Sequence, residues 1–177
     1  MTGVVTEIET LFADHGDASY GEGVTMLAHM LQAAALAESQ GADEALVIAA
    51  LLHDVGHFLQ PTDDSFGYHK HDRSGGDWLA TRFPPEVSEP VRLHVTAKRY
   101  LCAVEKDYFG KLSPASVYTL SQQGGPMSDD EVRTFAASTH LESAVRLRRW
   151  DDSGKVTGLT VCDLPYYRAI LGRIAKI

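Results

Sequence analysis

Ala45-Leu46-Val47-Ile48-Ala49-Ala50-Leu51-Leu52-His53-Asp54-Val55-Gly56-His57 is the stretch whose reading decides the fold. Its apolar half reads as a helix buried on all sides. A buried helix rarely presents an adjacent His-Asp pair unless something satisfies both groups. On a helix continued to Phe58, His53 and His57 share a face, and Asp54 lies about 100° round from His53. A metal ion, or a pair of ions, over that face can take nitrogen from His53 and oxygen from Asp54. Two partly buried polar groups satisfied by backbone or water are the plainer alternative. The second histidine one turn on favours the metal.

Outward from this stretch the chain reads as helix after helix. Ala42-Asp43-Glu44 is an acidic cap for the central helix. Before it, Val24 to Gln40 carries an apolar stripe with His29 beside it, and Gly41 supplies the stop. Val5, Ile8, Leu11 and Phe12 mark a first helix over Val4 to Asp14. The loop between these two, Ala18-Ser19-Tyr20-Gly21-Glu22-Gly23, is a lid or a linker. Downstream, Gln60 to Ser65 is a polar loop leading to Tyr68, His69 and His71. Gly75-Gly76 would weaken an isolated helix by about 1 kcal/mol per residue, which makes sense where helices pack closely. Pro84-Pro85 breaks the chain, Glu86 to Leu101 resumes a helical pattern containing His94, Lys98 and Arg99, and Pro90 is expected to start a new helix after Ser88-Glu89. Ser113-Pro114-Ala115-Ser116 opens a short helix, and Ser128 with Glu131 forms a capping box. His140 to Lys155 is a further helix, and Pro165 to Lys176 closes the chain with Tyr166, Ile170, Leu171 and Ile174 on one face. With no strand-like alternation of useful length, the expectation is a single all-α helical bundle over residues 1–177.

Length and composition set outer bounds. A chain of 177 residues, 44% hydrophobic and 23% charged, can bury a sizeable core. A net charge of −8 argues against non-specific binding to nucleic acid or anionic membrane. No apolar run is long enough to span a bilayer, and Met1-Thr2-Gly3-Val4-Val5-Thr6-Glu7 lacks a secretory signal layout. Cys102 and Cys162 stand in no metal-binding spacing and suit two free thiols in a reducing cytoplasm.

By residue type the candidate metal ligands are His29, His53, Asp54, His71, His94 and Asp151, drawn from five helices, as bundles build metal sites. His69 competes with His71, and Asp152 with Asp151; Asp72 and Gly75-Gly76 favour His71. Arg148, Arg149 and Lys155 near Asp151 also fit a salt-bridged surface helix. Imidazoles mixed with carboxylates suit iron, manganese or a similar divalent ion better than calcium or magnesium. Six protein ligands do not saturate two metals even if Asp54 bridges them, so positions stay open for water or substrate.

His29, the pair His53-Asp54 and the distant Asp151 resemble the signature of the HD-domain superfamily. His94-Val95-Thr96-Ala97-Lys98-Arg99-Tyr100-Leu101, Leu112-Ser113-Pro114-Ala115-Ser116, Gln123-Gly124-Gly125-Pro126-Met127-Ser128 and Arg149-Trp150-Asp151-Asp152-Ser153-Gly154-Lys155 are similar to segments of its mixed-valent diiron oxygenase branch. That branch includes dioxygenases of 2-amino-1-hydroxyethylphosphonate and of its trimethylated form, with myo-inositol oxygenase more distant. The resemblance runs from about Tyr20 to Lys155. It implies two iron ions, Fe2+ and Fe3+, one on His29, His53, Asp54 and Asp151 and the other on Asp54, His71 and His94. It implies that His57, Lys98 and Ser116 hold the phosphonate, that Tyr20 can fill an open iron position, and that Glu22 meets the substrate amine. The implied reaction uses dioxygen to split the carbon–phosphorus bond of a small 1-hydroxyphosphonate, giving a carboxylate and phosphate. A metal-dependent phosphohydrolase of small phosphate esters is the alternative, and a non-catalytic metal-binding module the other.

Overall fold

Every residue from Leu46 to Leu52 is buried, so the central helix, Glu44–Leu52, must be covered on all sides. Asp43 starts it by accepting a hydrogen bond from the Leu46 amide at 2.9 Å. The computed structural model describes residues 3–59 and 70–176. In chain order the helices are α1 (Gly3–His15), α2 (Met26–Ser39), α3 (Glu44–Leu52), α4 (Gly56–Leu59), α5 (His71–Ala80), α6 (Pro85–Val104), α7 (Pro114–Gln122), α8 (Asp129–Ala136), α9 (Leu141–Ser153) and α10 (Leu164–Ile174). Among the described residues the only strand-like pairing is an isolated bridge between Ser19 and Thr25. The chain is all-α.

The cover over α3 comes from α2, α6, α9 and α10, while α4 and α6 both pack on α5. The core around α3 includes Met30 and Ala34 of α2, Val91 of α6, Leu147 and Trp150 of α9 and Leu171 of α10, all buried. The elements that bring in His29, His53, Asp54, His94 and Asp151 are therefore gripped by one apolar core, which positions polar groups more accurately than loops can.

Four local expectations change. The central helix ends at Leu52 rather than near Phe58. Val55 N bonds Leu52 O at 3.0 Å, and His57 N bonds Asp54 O at 2.9 Å, the three-residue spacing of a tightened turn. His53 thus caps α3 and His57 lies beyond the turn in α4, not on one helical face. Pro90 does not start a helix; it sits buried within the second turn of α6. There it forfeits one backbone bond, to the Glu86 carbonyl, on a helix already held by the core. In α10 the buried aromatic is Tyr167, while Tyr166 is 52% exposed. Helix α2 begins at Met26 because the Thr25 hydroxyl caps it, accepting from Ala28 N at 3.1 Å.

The glycines of α5 fulfil the packing expectation. A Cβ on Gly76 would lie 2.7 Å from Arg92 Cβ, and one on Gly75 would lie 3.1 Å from Gly56 N. Residues 60–69, with Tyr68 and His69, fall outside the described segments.

Candidate functional site

Three buried histidines are fixed by backbone carbonyls. His29 Nδ1 donates to Gly154 O at 2.9 Å, His53 Nδ1 to Ala50 O at 2.8 Å and His94 Nδ1 to Val91 O at 2.7 Å. A carbonyl only accepts, so each Nδ1 carries a proton, and once the ring is neutral its Nε2 turns a bare lone pair inward. Those lone pairs converge. Nε2 of His29 lies 3.0 Å from Nε2 of His53, and Nε2 of His71 lies 3.1 Å from Nε2 of His94. Two acceptors at that separation repel unless positive charge sits beside them.

Asp54 stands between the two pairs. Its Oδ2 is 3.5 Å from His29 Nε2 and 3.4 Å from His53 Nε2. Its Oδ1 is 3.4 Å from His71 Nε2 and 3.7 Å from His94 Nε2. Each oxygen of one carboxylate therefore faces one imidazole pair. On the first side Asp151 adds Oδ1, 3.3 Å from His29 Nε2, buried and without a hydrogen-bond partner. Its Oδ2 is held by Arg148 Nη1 at 2.7 Å. Asp152 turns the other way, to Tyr108 and Arg148.

The electrostatics match the geometry. Burial pushes the Asp54 carboxyl up, but His53, His29 and His57 outweigh it and hold it well below the usual carboxylate range. Asp151 is likewise held low against burial, chiefly by Arg148. Burial would lower His53, yet Asp54 and Asp151 raise it to about 10. The cluster demands positive charge, which metal ions supply better than protons on rings whose lone pairs already converge. An orphaned carboxylate oxygen and two sets of inward Nε2 atoms fit a metal. His29, His53 and Asp54 make one potential ligand group and Asp54, His57 and His71 another, the ligand atoms of each lying within 4.8 Å of one another.

Asp54, His57, His71, His94 and Asp151 open onto a cavity of about 170 Å³, which also reaches Lys98, Ser116, Tyr20 and Glu22. Lys98 is buried, its Nζ donating to Thr119 Oγ1 at 2.9 Å and lying 3.4 Å from Ser116 O. Burial and the Arg148 charge lower its pKa to about 7. His57 stacks on His71 with ring centroids 4.1 Å apart, and Tyr20 stacks on His29 at 4.0 Å. Glu22 contacts Lys155 Nζ at 2.8 Å.

The sequence reading missed part of this wall. Arg148 is not a surface residue; it is 4% exposed and lines the cavity together with Thr119, Gln123 and Lys155. Helical spacing offered a signal for two of them, since Arg148 precedes Asp151 by three residues and Thr119 follows Ser116 by three. Gln123, whose buried Oε1 has no partner, stood only within a segment carrying the family resemblance, with no role of its own.

Residues 26–100 match the model of the HD domain family. The chain is 46% identical over 168 residues to the hydroxymethylphosphonate dioxygenase of Gimesia maris, covering 92% of this chain and 84% of that protein. The chain belongs to the HD-domain phosphonate dioxygenase family. It is also 38% identical over 180 residues to the [1-hydroxy-2-(trimethylamino)ethyl]phosphonate dioxygenase (glycine-betaine-forming) of Leisingera caerulea, covering 97% and 90% of the two chains. The HD-domain match holds His29, His53, Asp54, His71 and His94, whereas Asp151 lies beyond it on α9.

One consequence of the packing is testable in this HD-domain chain. A Cβ on Gly56 would lie 2.0 Å from the carbonyl oxygen of His71, backbone that cannot yield like a side-chain tip. Gly56→Ala should therefore shift the start of α5 and His71 with it. The expected result is destabilisation of a few kcal/mol, in the range of overpacked cores, with metal lost preferentially from the His71 side. Elemental analysis alongside thermal melting checks this, and unchanged metal content would show that His71 does not bear on the metal.

Proposed function

We propose that this chain is an iron-dependent dioxygenase that cleaves the carbon–phosphorus bond of a small 1-hydroxyphosphonate, yielding a carboxylate and phosphate. The observation that carries the reading is the division of Asp54, one oxygen toward His29 and His53 and the other toward His71 and His94, beside a cavity lined with cations. The names of the two relatives agree with it.

On this reading His29, His53, Asp54 and Asp151 hold one iron, and Asp54, His71 and His94 hold the other, in a mixed Fe2+/Fe3+ pair. His94 is preferred over His57 because it is 1% exposed and its ring is fixed by Val91, while the His57 side chain is 29% exposed at the cavity. Iron supplies Lewis acidity and the capacity to activate dioxygen. The protein supplies the rest. Lys98, His57 and Ser116 hold the phosphonate by charge-assisted hydrogen bonds, with Arg148 and Thr119 behind them. Arg148 keeps Asp151 ionised for its metal, and Tyr20 covers His29 from the loop side. The reaction balances with one dioxygen per phosphonate, one oxygen atom entering each product. The unpaired thiols of Cys102 and Cys162 fit a cytoplasmic setting, and no helix among the described residues is long and apolar enough to cross a membrane.

Oxygen uptake and phosphate release by iron-loaded protein, over a panel of hydroxyphosphonates, test the reading. One phosphate per dioxygen is expected. Equal phosphate release without oxygen would mean a phosphohydrolase; bound metal without turnover would mean a binding module.

Lys98 adds a pH dependence. With its pKa near 7 the ammonium is present below that value and lost above it. Phosphonate affinity should therefore fall as pH rises through 7, by up to about tenfold per unit until the pKa of the ligand-bound lysine is passed. Lys98→Met should bind weakly throughout and lack this limb. A limb surviving the substitution belongs to another group.

A further inference from the structure

Tyr108 lies in the connection between α6 and α7 and is buried. Two turns fix its backbone: its amide donates to Glu105 O at 3.1 Å, and its carbonyl accepts from Lys111 N at 3.0 Å. The hydroxyl accepts from Arg148 Nε at 3.3 Å and donates to Asp152 Oδ2. A hydroxyl that donates once and accepts once serves both partners without conflict. Burial, against the nearby Arg148 cation, pushes the phenol well above its usual range, so it keeps the proton it donates.

Arg148 is thereby engaged at every nitrogen. Nε meets Tyr108, Nη1 lies 2.7 Å from Asp151 Oδ2, and Nη2 pairs with Asp152. Both acids stand on the arginine's own helix, α9, three and four residues on. Such pairs hold the guanidinium to α9 but not to the rest of the cavity wall. Tyr108 supplies that tie, because it comes from the connection between α6, which carries Lys98, and α7, which carries Ser116. Tyr108 and Asp152 also line a second cavity, of about 390 Å³, together with Lys111 and Arg149. Water or either cation could draw Asp152 away there if the hydroxyl did not hold it.

We propose that Tyr108 is a positioning residue, whose hydroxyl clamps Asp152 and Arg148 Nε so that the guanidinium stays aimed into the cavity beside the metal ligands, where an anion binds. The identity of that anion rests on the phosphonate dioxygenase reading above. Arg148 lines this cavity with Lys98, Ser116 and Thr119. A charge-assisted hydrogen bond depends on the aim of its donors. A supporting residue that locks such a donor keeps the site within about half an ångström of its working geometry. Tyr108 is not itself part of that wall; it acts through Arg148.

The experiment measures calorimetric binding of inorganic phosphate and of hydroxymethylphosphonate to iron-loaded protein, with metal content and the kinetics of phosphate release alongside. In Tyr108→Phe both ligands should bind about five- to tenfold more weakly, a part of what a whole charge-assisted bond carries. KM should rise by the same factor while kcat stays within about twofold, and metal content should not change. Tyr167→Phe is the comparison, because it also removes a buried phenol hydroxyl, one that meets Glu38 at 3.2 Å. It should bind phosphate as wild type does. In Arg148→Met there is no guanidinium to aim, so adding Tyr108→Phe should weaken binding no further. Should Arg148→Met not fold, Asp152→Asn, which loosens the same clamp, should reproduce the Tyr108→Phe defect. The proposal is overturned if Tyr108→Phe binds both ligands as wild type does, or if Tyr167→Phe weakens binding as much. It is equally overturned if the defect persists on Arg148→Met, if Asp152→Asn binds normally, if Tyr108→Phe loses metal, or if wild type binds neither ligand. Binding in the expected order without oxygen-dependent phosphate release would remove the dioxygenase reading and leave Tyr108 in its role.

Discussion

Asp54→Ala should yield protein with neither metal, whereas His71→Ala should keep about one equivalent per chain. The difference follows from geometry: Asp54 offers one oxygen to each imidazole pair, and His71 belongs to one pair only. Oxygen-dependent phosphate release should fall below detection in Asp54→Ala, because on the proposed reading dioxygen and substrate are both activated at the metals. The substitution also removes a carboxylate that raises His53 against its burial, and leaves Nε2 of His29 and His53 facing each other without it. Some lost stability is therefore expected, and Asp54→Asn, which keeps the shape, separates lost metal from lost fold. Elemental analysis decides between outcomes. Two metals retained in Asp54→Ala would show that the carboxylate does not bridge, while His57→Ala should keep both and lose affinity for phosphonate. His69→Ala is the control expected to retain metal.

The all-α fold and most helix starts were legible because each rests on local chemistry. Asp43, Ser113 and Ser128 cap the helices that their spacing announced. The failures came where tertiary contact overrides a local rule. Helical periodicity carried α3 through His53 to Phe58, but the close approach of Gly56 to the His71 backbone goes with a tight turn at that point. Pro90 read as a start because the sequence does not show that the core holds α6 across it. The histidines and acids of the site were legible by type, since buried ionisable groups need partners. Arg148 and Lys155 were not. Near a run of charges they look like solvated surface, and only the packing of α9 against α2 and α6 turns one into the core and seats the other in the cavity.

Arg148→Met is the second substitution with a large expected effect. The guanidinium is 4% exposed and reaches Asp151, Asp152 and the Tyr108 hydroxyl. Removing one partner from such a network leaves uncompensated charge in the interior, chiefly the Asp151 carboxylate, at a cost of about 3–5 kcal/mol. For a chain of this size that corresponds to a fall in Tm of roughly 6–20 °C. Two further effects separate this residue from a purely structural one. Arg148 leads the groups that hold the Asp151 carboxyl down against burial, so in the variant Asp151 should protonate, and metal be released, at a higher pH on acidification. Arg148 is also, after burial, the main influence lowering Lys98, so the alkaline limb of phosphonate binding should move above 7. Acid release and alkaline limb should thus shift upward together, which a general loosening of the core does not require. A variant that melts early while both limbs stay in place would confine Arg148 to holding the fold.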